Sequence, residues 1–210
     1  SNIFIVSSTD VDMILARSLP SLNKVKKRYE IKFKSYAIGI LHPITTNLKN
    51  LERETKIYLK SLVKSGLNYV LVYPNNDHGS DIILNQISKY KKYKNFKIFP
   101  SIRFEYYLTL LKNSNFIIGN SSSGIIEAPY YGVSTINIGD RQKNRLKSKL
   151  IKNINFNERL ILQSIEFAKN RKISKRKFFG EGKSAEKITK LLMTNKIWKI
   201  SNQKNFIDII

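Results

Sequence analysis

The sequence predicts an α/β domain: a parallel sheet with helices on both faces. Two observations carry the prediction. Short apolar runs rich in Ile, Val and Tyr alternate with longer stretches of helical period, the arrangement that gives a parallel sheet with crossover helices. The runs are also almost continuously apolar, as strands covered on both faces must be.

In chain order, residues 3–6 read as a short strand leading to a short helix from Asp10. Five sheet strands are then predicted at residues 36–41, 68–73, 96–99, 115–119 and 134–138. Between the first two, Leu48, Leu51, Thr55, Tyr58, Leu59, Leu62 and Val63 recur at three- and four-residue steps, with Glu52, Lys56 and Lys60 on the other face. This is an amphipathic helix closed by Gly66. Ile82, Ile83, Ile87 and Tyr90 mark the next helix, and Phe104, Tyr107, Leu108 and Leu111 the one after. Ile125, Ile126 and Ala128 start a fourth, which Pro129 is expected to interrupt. Past Ile154 the strand pattern ends, leaving helices at about 158–169 and 185–193 and a tail with Trp198. The expected division is a connector over 1–20 from a preceding domain, the α/β domain over 21–170, and a C-terminal helix and tail over 171–210.

Composition sets limits. The chain has 210 residues, no cysteine, and 38 Lys plus Arg against 15 Asp plus Glu, a formal charge of +23. Without cysteine there is no disulfide, thiolate metal site or cysteine nucleophile. No apolar run approaches the ~18 residues of a membrane span, so no membrane association is expected and the cytoplasm is the expected location. The chain opens on Ser1 without a basic-then-apolar leader, so it reads as a piece of a longer protein rather than a secreted one. The charge argues for an anionic partner without naming it. The lysines are dispersed, so a solvated basic surface is the simpler reading, and nucleic acid is not the expected partner.

The first candidate site is Gly119-Asn120-Ser121-Ser122-Ser123-Gly124, which follows an apolar strand and precedes a helix. Small residues let the backbone approach an anion, and free N–H groups with serine hydroxyls can hold a phosphate. Alone, the segment reads equally as a capped helix start. Glu127 could accept hydrogen bonds from two vicinal ribose hydroxyls, or could simply be a first-turn acid favoured by the helix dipole. His42, in His42-Pro43 with Thr45-Thr46, ends the strand at 36–41 and could donate to a diphosphate, or enter a helix capped by Thr46 or Asn47. Pro74-Asn75-Asn76-Asp77 ends the next strand, where turn preference competes with ligand contact. The segment Phe99-Pro100-Ser101 ends a third. Four successive strand ends thus converge on one rim, which capping alone does not explain. No HExxH, histidine-rich metal cluster, G-x-S-x-G elbow or Walker A loop occurs, so neither metal nor cofactor is expected.

Taken together, the sequence resembles the hydrolysing UDP-N-acetylglucosamine 2-epimerases over about residues 38–192. The likeness rests on His42-Pro43-Ile44-Thr45-Thr46, Pro74-Asn75 with Asp77 and Gly79, the 119–124 segment with Glu127, Asn137-Ile138-Gly139-Asp140-Arg141-Gln142, and Phe179-Gly180-Glu181-Gly182. The resemblance implies that residues 21–170 are a Rossmann-like UDP-binding domain, one half of a GT-B two-domain fold with UDP in its cleft, with Ser121 and Ser122 at the diphosphate, Glu127 at the ribose, Ser101 and its neighbours at the uracil, and His42 aiding departure of UDP. It carries over Asn75 and Arg141 as pocket residues. The implied partners are a UDP-sugar, UDP, the N-terminal domain of the same enzyme and further copies of the chain. The implied reaction eliminates UDP across the sugar C1–C2 bond and hydrates the resulting glycal. Because no family-like carboxylates precede Tyr36, the expectation is a C-terminal, UDP-holding fragment that turns nothing over alone. Rival readings are another GT-B transferase, a nucleic-acid-binding module and a non-catalytic nucleotide-sugar sensor.

Overall fold

A computed structural model describes residues 3–16, 18–171, 173–201 and 203. The chain divides into two compact units, one of residues 17–178 and the other of residues 1–16 with 179–210.

In chain order the elements begin with α1 (Thr9–Ile14), α2 (Leu22–Arg28), β1 (Ala37–Ile40), α3 (Leu51–Lys64), β2 (Tyr69–Val72) and α4 (Ser80–Ser88). They continue with β3 (Phe96–Phe99), α5 (Phe104–Lys112), β4 (Phe116–Gly119), a 3-10 turn at Ser122–Gly124, α6 (Glu127–Tyr131) and β5 (Ser134–Ile138). Last come β6 (Ile151–Ile154), α7 (Glu158–Ala168), α8 (Ser184–Leu192) and α9 (Asn195–Trp198).

The larger unit holds a six-stranded sheet of order β3-β2-β1-β4-β5-β6. All five pairings are parallel. Helices α3, α4 and α7 pack together on one face, and α2, α5 and α6 on the other. Double coverage explains why β1, β4 and β5 are buried at every position. Ile118, Ile136, Leu59 and Leu62 lie in the core on the α3 side, and each such side chain removed from water contributes roughly 1.5–3 kcal/mol. Gly39, in mid-strand, leaves room there: a Cβ would fall 2.4 Å from Leu71 Cδ2 and 2.7 Å from the Tyr58 hydroxyl. That hydroxyl donates to the Ile118 carbonyl at 3.1 Å.

Strand order reverses between β1 and β4, whose carboxyl ends lie side by side. Such a switch point opens a crevice because the crossovers on its two sides leave in opposite directions. The site is built there.

Several elements differ from the sequence expectations. β6 was not expected, since as an outer strand it buries Ile151 but exposes Lys152 and Asn153, which breaks the apolar run. α2 was hidden in a basic stretch and buries only Val25. Pro129 does not interrupt a helix. It is the third residue of α6, where its missing N–H would have had no helical partner in any case.

In the smaller unit, residues 3–6 form no strand, and Ile3 and Ile5 are exposed. The Asp12 carboxylate accepts from the Ser184 N–H at 3.0 Å and the Ser184 hydroxyl at 2.6 Å, capping the start of α8. Those bonds hold the Asp12 pKa below the ordinary aspartate value. Among the described residues, no helix is long and apolar enough to cross a membrane.

Candidate functional site

The geometry begins at Gly119. Its φ is +135°, and a Cβ there would lie 1.8 Å from the Ile40 carbonyl oxygen, so only glycine lets β4 pass β1 this closely. The chain then turns, and the Asn120 N–H donates to that same Ile40 carbonyl at 3.1 Å. The turn lays the Asn120 side chain across the end of β1. Its Oδ1 accepts from the His42 N–H at 2.7 Å, and its Nδ2 donates to the His42 carbonyl at 2.8 Å.

His42 is thereby held just beyond β1, 6 % exposed. Its Nδ1 accepts from the Asn75 N–H at 3.1 Å. A ring nitrogen that accepts carries no proton, so the neutral ring carries its proton on Nε2 and can donate there. Burial first, and then the Arg141 guanidinium, lower the His42 pKa to about 4, with Asp77 opposing the shift. At neutral pH the ring is an uncharged donor.

Beyond Asn120, Ser121 caps the 3-10 turn, its hydroxyl oxygen accepting from the Ser123 N–H at 3.3 Å. The hydroxyl proton of Ser121 stays available to an incoming acceptor. Glu127 is the first residue of α6 and is 9 % exposed. Its charge, secondary to burial, helps hold the Tyr107 and Tyr131 phenols above the ordinary tyrosine pKa.

These groups share one open cleft of about 270 Å³, near the lower end of the ~300–1,000 Å³ usual for small-molecule sites. His42, Asn75, Ser101, Ser121, Ser122 and Glu127 all line it. Ile40, Val72, Pro74, Pro100, Ile102 and Phe104 supply its apolar walls. Arg141 is not in the lining. It reaches the same corner from the loop after β5, donating from Nη1 to the Asn120 carbonyl at 3.2 Å, with Nη2 3.9 Å from Asp77 Oδ2. Burial lowers the Arg141 pKa, and Asp77 opposes that.

Two roomier depressions lie elsewhere. One of about 520 Å³ is lined by the loops entering β4 and β5, at the opposite edge of the sheet. The other, of about 560 Å³, lies on the lysine-rich faces of α3 and α4. Neither gathers strand ends at the switch point, so the smaller cleft is the better ligand site on geometry. Among the described residues no group of three or more His, Cys, Asp or Glu could hold a metal ion.

Residues that the sequence did not single out also take part. Asn120 ties β4 to His42, Gln142 Nε2 donates to the Asn120 carbonyl at 3.2 Å, and Tyr107 hydrogen-bonds Ser123 under the cleft floor. Asn120 and Gln142 stand inside recognisable motifs, but their partners lie on other strands and no local spacing reveals them.

Comparison with known proteins gives the family and the fold. A family described as UDP-N-acetylglucosamine 2-epimerase matches residues 1–193. The UDP-N-acetylglucosamine 2-epimerase of Neisseria meningitidis serogroup B is 40 % identical over 212 residues, covering 99 % of this chain and 56 % of that protein. The hydrolysing UDP-N,N'-diacetylbacillosamine 2-epimerase of Legionella pneumophila is 27 % identical, covering 91 % of this chain and 52 % of that one. This chain thus spans about half the length of the curated relatives it matches. The fold matches the UDP-GlcNAc 2-epimerase of Methanocaldococcus jannaschii, solved with UDP-GlcNAc and UDP, at a TM-score of 0.73 and 22 % identity. That match covers 90 % of this chain and 54 % of the other.

These matches correct one expectation. The reading of a C-terminal fragment that only holds UDP, with the resemblance starting at about Ile38, is overturned: the family match takes in residues 1–193, nearly the whole chain. It supports a Rossmann-like epimerase domain rather than a binding fragment. The motifs start late because α2 buries one residue and α1 two, too few to leave a compact signature. The chain belongs to the UDP-N-acetylglucosamine 2-epimerase family.

Proposed function

We propose that the cleft binds the nucleotide of a UDP-sugar and that the chain serves a hydrolysing 2-epimerase, with UDP-N-acetylglucosamine as the first substrate to test. The observation that carries this reading is the neutral His42, its Nδ1 occupied by the Asn75 N–H, beside the Ser121 and Ser122 loop. An uncharged donor fixed at a strand end suits a phosphate oxygen that gains charge as a bond breaks.

In this reading UDP leaves sugar C1 as the C1–O bond breaks and the C2 proton passes to a base, leaving a C1=C2 glycal. Water then adds, its hydroxyl to C1 and a proton to the opposite face of C2, giving the free sugar with C2 inverted. His42 Nε2–H and the Arg141 guanidinium stabilise charge on the departing diphosphate, which Ser121 and Ser122 hold. Glu127 accepts from the two ribose hydroxyls. Ser101, Asn75 and the apolar wall by Phe104 seat the rest of the nucleotide. Since the lining carboxylate is committed to the ribose, the C2 proton needs a base from outside the lining set. Closure of this rim by a second domain in the GT-B manner, assembly with further copies and a cytoplasmic location are the finer parts of the proposal.

The test is a titration with UDP-N-acetylglucosamine followed by two-dimensional NMR, with the diacetylated bacillosamine counterpart in parallel and turnover read in the same tube. Shifts concentrated at residues 42, 75, 101, 121, 122 and 127, with release of UDP and a 2-epimerised sugar, support the reading. Binding at another edge of the sheet, or none, overturns it.

A further inference from the structure

The backbone of His42 lies past the end of β1, where no ladder partner remains for its N–H and C=O. Both groups are nevertheless bonded, and both to one side chain: Asn120 Oδ1 at 2.7 Å and Asn120 Nδ2 at 2.8 Å. Asn120 is fully buried, 0 % exposed. Its own carbonyl accepts from Arg141 Nη1 and Gln142 Nε2, each at 3.2 Å. One residue therefore touches the main chain of the imidazole donor and the side chain of the guanidinium.

We propose that Asn120 is a positioning residue for departure of the diphosphate. Its carboxamide stands in for a missing strand partner and fixes His42, while its carbonyl fixes Arg141 on the same side of the leaving group. The inference rests on the reading of the cleft as a nucleotide site.

The chemistry restricts the position to a primary amide. A carboxamide offers one acceptor and one donor in a plane, the complement of a backbone N–H and C=O pair. Aspartate keeps the acceptor but turns the donor into a second acceptor facing the His42 carbonyl. Alanine leaves both backbone groups buried and unbonded, at the cost of orphaned polar groups. The clamp is continuous with the bond that sets the ring: His42 N–H and C=O are held by Asn120, and His42 Nδ1 by the Asn75 N–H. If the backbone swings, the ring leaves the Asn75 N–H and its tautomer is no longer selected. Nothing in this arrangement requires that the fold fail when Asn120 is changed, since the sheet ladder between β1 and β4 ends before it.

The test uses the full chain labelled with ¹⁵N at its two histidines, His42 and His78, in wild type, Asn120→Asp and Asn120→Ser. Imidazole nitrogen spectra give the tautomer and titration of His42, and calorimetry gives the UDP affinity. The wild-type ring is expected as the Nε2–H tautomer. In both variants the ring is expected to lose that single tautomer and to titrate nearer its ordinary value, while UDP affinity falls about tenfold or more. A folded variant with an unchanged His42 tautomer, unchanged titration and UDP affinity within about twofold of wild type overturns the proposal. Loss of fold in both variants also overturns it, by making Asn120 a residue of stability alone. A wild type that does not bind UDP defeats the nucleotide reading, while the imidazole spectra still decide whether Asn120 holds the ring.

Discussion

The Asn75 main-chain N–H donates to His42 Nδ1 at 3.1 Å, so two strand ends, after β1 and β2, together select one tautomer of one ring. The donor is backbone, which separates the role of position 75 from that of its side chain. Asn75→Ala is therefore expected to leave the His42 tautomer unchanged and to weaken UDP binding only through lost cleft contact, by about threefold or less. Imidazole nitrogen spectra and calorimetry check the two parts separately.

Burial of His42 also gives a pH signature. Its folded pKa is lowered to about 4 from an ordinary 6.5. Between these values the unfolded chain binds a proton that the folded chain does not, so stability falls as pH drops from about 6.5 toward 4 and is unaffected by this group above that window. The effect across the whole window is on the order of 3 kcal/mol. Thermal melts at pH 7 and pH 4.5 are expected to differ less in His42→Gln than in wild type. An equal fall in both proteins contradicts the assignment.

Gly119→Ala tests the close approach of β4 to β1. A methyl group placed 1.8 Å from the Ile40 carbonyl oxygen, at a φ of +135°, cannot be relieved by rotating a side chain. A loss of about 3 kcal/mol or more is expected in denaturant unfolding, within the class of strain at a special backbone conformation. UDP affinity per folded molecule is expected to fall as well, because Asn120 and Ser121 follow directly.

Much of this was legible in the sequence, and for identifiable reasons. β1, β2, β4 and β5 announce themselves because both faces of each strand are covered, which demands runs such as Tyr69-Val70-Leu71-Val72. β6 carries Lys152 and Asn153 outward and sends no such signal. The serine loop, His42 and Asn75 could be gathered onto one rim because parallel strands place all their carboxyl ends together. What joins them could not be read: Asn120 and His42 are 78 positions apart, and a hydrogen bond between them leaves no periodicity. The opposite error occurred at residues 3–6, where an apolar run read as a strand has Ile3 and Ile5 exposed.

Arg141 separates charge from shape. It meets the cleft corner through the Asn120 carbonyl, with Asp77 near its other nitrogen. Arg141→Gln is expected to lower UDP affinity about tenfold, the scale of one charge-assisted contact, while leaving uridine binding unchanged. Parallel calorimetric titrations with UDP and uridine are the check, and an equal loss for both ligands places Arg141 outside the diphosphate site.

The most direct test of the central claim, that this cleft holds UDP with Glu127 on the ribose, is a calorimetric cycle of UDP and 2′-deoxy-UDP against wild type and Glu127→Ala. Loss of hydrogen bonds to a carboxylate costs about 1.5–3 kcal/mol, or roughly 10–100-fold in affinity. Wild type is expected to prefer UDP over the deoxy ligand, and Glu127→Ala to bind UDP more weakly with that preference largely gone. Equal UDP affinity in the two proteins, or a preference for the 2′-hydroxyl that survives in Glu127→Ala, contradicts the account.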